Sequence, residues 1–219
     1  KKSTYINLRS IAIIGQLITV NLIYFIFNFK FDLILGNSII SIGILSNLYL
    51  IYINKNTQLL DKDAFFFLLI DIIMLGGLIY LTGGIANPFS IFLIIPTIFS
   101  SSNLGFKSNL FLAIITIVII IFLTFFNQPL PYPVNEHFHV DNYYYYSIPI
   151  SLIIALIFLN YFALIFGKES RMRKEAFNKM EEIMSKEHEL LSLGGQAAAA
   201  AHSLGTPFST IKIISSDLL

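Results

Sequence analysis

The segment 109-NLFLAIITIVIIIFLTFF-126 is the clearest indication of how this chain folds. Its eighteen residues contain no charged side chain and are mostly isoleucine, leucine and phenylalanine. A helix of this length covers the ~30 Å hydrocarbon core of a bilayer, and it satisfies its own backbone hydrogen bonds, which lipid cannot do. The stretch therefore predicts a membrane-spanning helix.

Five other apolar stretches have the length of a span. The chain is 56% hydrophobic and 12% charged, whereas soluble proteins contain about 25% charged residues. These proportions predict an all-α fold in which residues 1–167 form a polytopic six-helix transmembrane bundle. The five further spans are Ile11–Phe27, Leu33–Ile53, Ala64–Leu81, Pro88–Leu104 and Ser147–Phe166.

The basic residues are sorted by side of this predicted bundle. If the spans alternate, only Lys30 falls on the side opposite to the others, and the positive-inside rule places both termini in the cytoplasm. The charges form no single patch, so no direct contact with nucleic acid is expected. The residues on the cytoplasmic side are Lys1, Lys2, Arg9, Lys55, Lys62, Lys107, Lys168, Arg171, Arg173 and Lys174.

The segment after the last span changes character abruptly. Residues 168–189 mix Glu and Lys around apolar residues, which predicts an amphipathic juxtamembrane linker helix. Apolar residues recur every seven positions from Ala176 to Leu218, the period of a coiled-coil seam, and this repeat predicts a homodimer. His202 follows a run of five alanines beside that seam. Gly205 and Pro207 are expected to weaken or kink the helix one turn later.

The residues Ala-Ala-His202-Ser-Leu-Gly-Thr206-Pro207 resemble the H-box of sensor histidine kinases, and in particular that of the RegB/PrrB/ActS redox-sensing family. The resemblance implies a protein of the bacterial inner membrane in which the six-span region, residues 1–167, is the sensor domain. It implies that residues 190–219 are the first, incomplete helix of a dimerisation and histidine phosphotransfer domain. By the same resemblance His202 is phosphorylated by ATP and passes the phosphoryl group to a cytoplasmic response regulator, while Thr206 orients water for dephosphorylation.

The H-box departs from the family at one position. Family members usually have Glu or Asp directly after the histidine, where a carboxylate can hold the imidazole tautomer and accept its proton. Here that position is Ser203. No ATP-binding motif occurs in the chain, so ATP and Mg are expected to be bound by a catalytic domain that is missing here. Ser203 keeps open the alternative of a non-catalytic receptor scaffold.

A second motif lies between the third and fourth predicted spans. Two glycines followed by Asn-Pro predict a turn, because glycine permits positive φ and Asn-Pro fixes an extended geometry. The wording Gly83-Gly84-Ile-Ala-Asn87-Pro88-Phe89 also resembles the Gly-Gly-x-x-Asn-Pro-Phe motif of the RegB family. That resemblance implies that ubiquinone is the ligand sensed there, with Asn87 and glycine amides as donors and Phe89 as a stacking wall.

Two further polar features lie in the third predicted span and in the connection before the last one. Asp71 is the single charged residue well inside a predicted span, and either a signalling role or a structural hydrogen bond is consistent with it. In the connection 127–146, Glu136, His137, His139 and Asp141 alternate as in a metal site, but no metal is predicted. A transporter or channel subunit with a helical tail is the remaining alternative, and it requires polar residues lining the bundle.

Overall fold

We describe a computed structural model, which places residues 2–52, 60–131 and 141–217; the side chains of 205, 206, 208–210 and 212–217 are left undescribed. Within these ranges the chain contains helices and no strand. Two 3₁₀ helices, Gly84–Ala86 and Pro88–Leu93, precede the fourth α-helix. The α-helices are α1 (Lys2–Phe25), α2 (Leu33–Tyr52), α3 (Asp61–Leu81), α4 (Ile94–Asn103), α5 (Phe106–Phe125) and α6 (Asn142–Asp217).

Five of these helices, all except α4, are long and apolar enough to cross a membrane. Many of their large apolar side chains are exposed, including Ile11 at 68% and Ile34 at 80%. Such exposure is expected where the surrounding solvent is lipid, because burial between helices then gives no hydrophobic gain over contact with acyl chains. The predicted all-α membrane bundle is confirmed.

The fourth predicted span, Pro88–Leu104, is not one regular helix. A 3₁₀ helix occupies Pro88–Leu93, and α4 begins only at Ile94. Pro96 falls in the first turn of α4, where its missing N–H is not needed, so the α-helix can start there but cannot extend back through it. Because the 3₁₀ form rises about 2 Å per residue, the two pieces together still extend about 27 Å.

The first and last spans begin earlier than predicted. α1 starts at Lys2 rather than at Ile11, so Arg9 is a buried residue of a helix and not a charge in a connection. α6 starts at Asn142 rather than at Ser147, because the Asp141 carboxylate accepts a hydrogen bond from the Tyr143 amide at 2.9 Å and caps the helix. The helix also continues past Pro207, which therefore does not end it.

The structure divides into two compact units, Lys1–Gly167 and Lys168–Leu219. In the first unit α3 packs against α2, α4, α5 and both 3₁₀ helices. Ile72 of α3 and Leu112 of α5 are fully buried in its core. At Gly76 an added Cβ would lie 3.0 Å from Ile119 Cγ2, so this glycine lets α3 and α5 approach closely.

A network of buried polar side chains joins α4, α5 and the part of α6 in the first unit. Asn109 Nδ2 donates to Ser100 Oγ at 2.6 Å and to Asn160 Oδ1 at 3.0 Å, and Asn160 Nδ2 donates back to Asn109 Oδ1 at 3.0 Å. Thr97 and Thr116 share a hydrogen bond of 2.7 Å. Within lipid these groups have no water to bond, so the network holds the three helices in register.

The second unit is helical from Lys168 to Asp217 and exposed wherever its side chains are described. Two i,i+4 ion pairs stabilise it locally, Glu169–Arg173 at 3.7 Å and Glu182–Lys186 at 2.7 Å. Ile183 and Leu190, which belong to the seven-residue repeat, are 65% and 69% exposed. The assignment of residues 1–167, 168–189 and 190–219 to functional domains stays a prediction.

Candidate functional site

The turn after α3 depends on its two glycines. Gly83 has φ of 109° and Gly84 has φ of 58°, which side-chain-bearing residues rarely adopt. The segment after α5 also lies against the turn: a Cβ at Gly83 would be 2.9 Å from Leu130 Cα, and one at Gly84 would be 2.8 Å from the Leu123 carbonyl oxygen. Glycine is therefore required here by both conformation and space.

The Asn87 side chain holds this turn together. Its amide donates to the Thr82 carbonyl at 2.9 Å and to Thr82 Oγ1 at 2.6 Å, and its carbonyl oxygen accepts from the Phe89 amide at 2.9 Å. Both amide hydrogens of Asn87 thus have partners within the turn. The prediction that Asn87 donates to a ligand stays a prediction, and the role visible in the structure is that of a helix cap.

Pro88 and Phe89 place an aromatic wall next to the turn. Pro88 occupies the first position of the second 3₁₀ helix. Phe89 and Phe92, one 3₁₀ turn apart, are 40% and 45% exposed, with ring centroids 5.7 Å apart. These rings form one side of a cavity.

The cavity has a volume of about 740 Å³ and lies between α1, α3 and the fourth span. Asn87, Pro88 and Phe89 line it near the turn, and Arg9 and Asp71 line it farther along the helices. Most of its other walls are aliphatic or aromatic. Its size and apolar lining are those of a site for a small hydrophobic molecule.

An ion pair is buried at the α1–α3 side of the cavity. Arg9 Nη2 lies 2.7 Å from Asp71 Oδ1, and Arg9 Nε lies 3.0 Å from both carboxylate oxygens. Arg9 Nη2 also donates to Ser46 Oγ at 2.8 Å, and Tyr5 donates its hydroxyl to Asp71 at 3.4 Å. The Phe67 ring packs against the guanidinium at 5.2 Å. Asp71 therefore forms an ion pair with Arg9 and accepts a further hydrogen bond from Tyr5, and a role of Asp71 in signalling stays a prediction.

Sequence reasoning placed Arg9 outside the membrane and so missed this pair. A signal was present: Tyr5, Arg9 and Ile13 follow each other at intervals of four and share the buried face of α1. A carboxylate within a span also requires a partner in the bundle. A helix that begins among the basic N-terminal residues, and not at the first long apolar run, contains Arg9.

The H-box residues lie in the second unit. His202 and Ser203 are exposed on α6, and the Ser203 hydroxyl donates to the Ala200 carbonyl at 2.9 Å. The Thr206 side chain, and Glu136, His137 and His139 of the connection before α6, lie outside the described residues. In the ranges that are described, no group of three metal-ligating side chains is found.

These observations define the class of the chain as an all-α, multi-pass membrane region, similar to the membrane region of RegB-type sensor histidine kinases. Residues 4–176 match the model of the PilS-like transmembrane domain, and the chain belongs to this family.

Two curated relatives share the name sensor histidine kinase RegB and come from Cereibacter sphaeroides. One is 29% identical over 98% of this chain and 47% of its own length, and the other is 32% identical over 44% of this chain and 21% of its own length. The chain thus spans about half the length, or less, of the curated relatives it matches. No solved structure matches it.

Proposed function

We propose that this chain is the quinone-sensing membrane part of a two-component sensor histidine kinase whose phosphorylated residue is His202. The observation that supports the proposal most is the cavity of about 740 Å³. It is lined by Asn87, Pro88 and Phe89 near the turn and by the Arg9–Asp71 pair farther along the helices. A membrane-dissolved ligand can reach such a site without entering water, and its binding can shift the helices that enclose it.

The lining fits a quinone. A quinone presents a flat ring with oxygens that are carbonyls when it is oxidised and hydroxyls when it is reduced. The exposed faces of Phe89 and Phe92 can stack on that ring. Arg9 and Asp71 supply hydrogen-bond donors and an acceptor for its oxygens.

For His202, the proposal assigns the phosphoryl-accepting role to the imidazole nitrogen. Phosphoryl transfer depends mainly on positioning and charge stabilisation, which a separate domain holding ATP and Mg would supply. Ser203 is a poor replacement for a carboxylate, because a neutral hydroxyl is a much weaker base. Thr206 would orient water when the response regulator is dephosphorylated.

The proposal places the protein in a bacterial inner membrane with both termini in the cytoplasm. The distribution of lysines between the connections supports this orientation even after Arg9 is removed from the count, because Lys30 alone lies on the other side. The exposed seven-residue repeat of α6, including Ile183 and Leu190, supports a homodimer.

The test uses the complete gene product in nanodiscs with radiolabelled ATP and either oxidised or reduced ubiquinone. Acid-labile label is expected to depend on the quinone redox state and to disappear in His202→Gln. Phe89→Ala removes the aromatic wall and is expected to reduce that dependence, whereas Phe125→Ala, which removes a ring 67% exposed and outside the cavity, should leave it intact.

Three results would contradict parts of the proposal. Label that does not respond to quinone would leave a histidine kinase without the proposed sensor. Label that persists in His202→Gln would place the phosphorylated residue elsewhere. Absence of label in the wild-type protein would favour the receptor scaffold, for which the Ser203–Ala200 hydrogen bond is the supporting observation.

A further inference from the structure

The polar groups of the cavity fall into two sets. Near the turn, Thr82 and Asn87 bond one another, and the Asn87 carbonyl oxygen accepts from Phe89. The Asn87 side-chain amide thus already donates its hydrogen bonds within the protein. A ligand oxygen placed there would have to displace the hydrogen bonds that hold the turn.

The second set lies on α1 and α3 and retains hydrogen-bonding capacity. Arg9 is 4% exposed, yet its Nη1 has no hydrogen-bond partner among the described residues, and the same is true of Gln16 Oε1. The Asp71 side chain remains 21% exposed beside its ion pair. All three residues line the cavity. Buried polar atoms without partners are rare in folded proteins and call for an explanation.

We propose that Arg9, Gln16 and Asp71 form the subsite that binds the ring oxygens of the quinone, and that the Gly83–Phe89 turn instead bounds the apolar part of the site. This inference rests on the proposed quinone ligand and identifies which residues hold it. Arg9 Nη1 and the Gln16 amide nitrogen donate to the two carbonyl oxygens of the oxidised form, whereas Gln16 Oε1 and the Asp71 carboxylate accept from the hydroxyls of the reduced form.

The spacing along the helices suits this arrangement. Gln16 follows Arg9 by two turns on the same face of α1, about 10 Å along the helix axis. A six-membered ring with an oxygen at each end and a hydrogen bond to each oxygen has a similar length. Thr82 lies three turns beyond Asp71 on α3, about 16 Å away along the axis, so a ring held at Arg9 does not need the turn's hydrogen bonds.

The two redox forms then differ in how they affect the ion pair. A carbonyl oxygen accepts from Arg9 Nη1, which makes no hydrogen bond to Asp71, whereas a hydroxyl donates to Asp71 itself and shares its carboxylate oxygens with Arg9. The pair joins α1 to α3, so the redox state of the ligand is read as a change in the contact between these two helices.

Gln16 provides the cleanest test, because its Oε1 atom has no hydrogen-bond partner among the described residues, so a change there breaks no hydrogen bond of this atom. The purified chain in nanodiscs is titrated with a short-chain azido-ubiquinone, photolysed and digested to locate the labelled peptides. Gln16→Leu and Arg9→Lys are expected to weaken binding about tenfold each. Gln16→Leu should also melt no lower than the wild type, since it removes an unpaired buried polar atom.

Asn21→Leu is the matched control, an amide-to-leucine change on the same helix and outside the cavity. It breaks the hydrogen bond from Asn21 to Asn37 at 3.1 Å and should lower the melting temperature while leaving quinone affinity unchanged. The expected label falls on peptides of α1 and α3.

Label confined to residues 82–89, with unchanged affinity in Gln16→Leu and Arg9→Lys, would overturn this inference and leave quinone sensing in place. Equal loss of affinity in Asn21→Leu would also overturn it, because the effect would then be one of helix packing. Absence of saturable binding by the wild-type chain would overturn both the subsite and the proposed quinone function.

Discussion

At the scale of single residues, Gly84 determines whether the turn beside the cavity can form. Its φ of 58° is unfavourable for any residue with a Cβ, and that Cβ would also lie 2.6 Å from Asn127 Cγ. Asn127 is itself fixed by a hydrogen bond of 2.6 Å to the Tyr145 hydroxyl. Strain and crowding therefore act together at this one position.

Gly84→Ala is expected to destabilise the membrane unit by about 1–3 kcal/mol, the usual cost of a strained backbone at a non-glycine residue. Gly15→Ala is the control, because a Cβ at Gly15 in α1 meets nothing within 4 Å and alanine favours a helix. Thermal unfolding in detergent should show a lower melting temperature for Gly84→Ala than for the wild type and no decrease for Gly15→Ala. Equal melting temperatures for the two variants would refute the requirement for glycine in the turn.

The Arg9–Asp71 pair shows what single residues reveal in a sequence and what they conceal. Asp71 stands out because a carboxylate in a span is costly, so its need for a partner could be predicted. The partner could not be identified, because a contact between α1 and α3 depends on how the helices pack. The cavity was unpredictable for the same reason, although three of the residues that line it, Asn87, Pro88 and Phe89, belonged to a recognisable motif.

At the scale of helices, long apolar runs located α2, α3 and α5 well, because a span must satisfy all its backbone groups internally. The fourth span was different. Its composition gave no sign of the change from 3₁₀ to α-helix at Ile94, which depends on the position of Pro96 and on the cap provided by Asn87. Helix starts at Lys2 and Asn142 were missed because polar first turns lower the local hydrophobicity.

The hydrogen-bonded pair Asn109–Asn160 is expected to couple α5 to α6. Asn109→Leu removes the partner of Asn160 on α5, and Asn160→Leu removes the partner of Asn109 on α6 while Asn109 keeps its bond to Ser100; the double variant removes both amides. A double-mutant cycle should therefore give a coupling free energy of about 0.6–1.7 kcal/mol, the range for hydrogen bonds between membrane helices. The measurement is unfolding in mixed micelles, and strictly additive effects would argue against a direct interaction.

At the scale of the whole molecule, α6 is the element that contains both Asn160 of the first unit and His202 of the second unit. The members of its seven-residue repeat whose side chains are described are exposed in the single chain, with Ile183 and Leu190 65% and 69% exposed. A second copy of the chain would cover these side chains. This repeat is visible in the sequence alone, because its period does not depend on how the membrane helices pack.

The chain has no cysteine, so single cysteines test the dimer without background. Ile183→Cys lies in the repeat and is expected to form a disulfide-linked dimer when membranes are oxidised. Ser185→Cys, two residues away on the opposite face of the helix, is the control and should cross-link far less. Similar cross-linking at both positions would indicate random collision rather than a parallel coiled coil.

The most direct test of the account asks whether the cavity controls His202. In the complete protein, Ala12→Phe fills the cavity from α1, whereas Ile11→Phe places the same ring on a neighbouring residue that is 68% exposed and does not line the cavity. The quantity measured is phosphorylation of His202 with oxidised and with reduced ubiquinone. If the cavity controls His202, Ala12→Phe keeps phosphorylation but loses its dependence on quinone, while Ile11→Phe behaves as the wild type. A full quinone response in Ala12→Phe would show that the ligand acts elsewhere and would contradict the account.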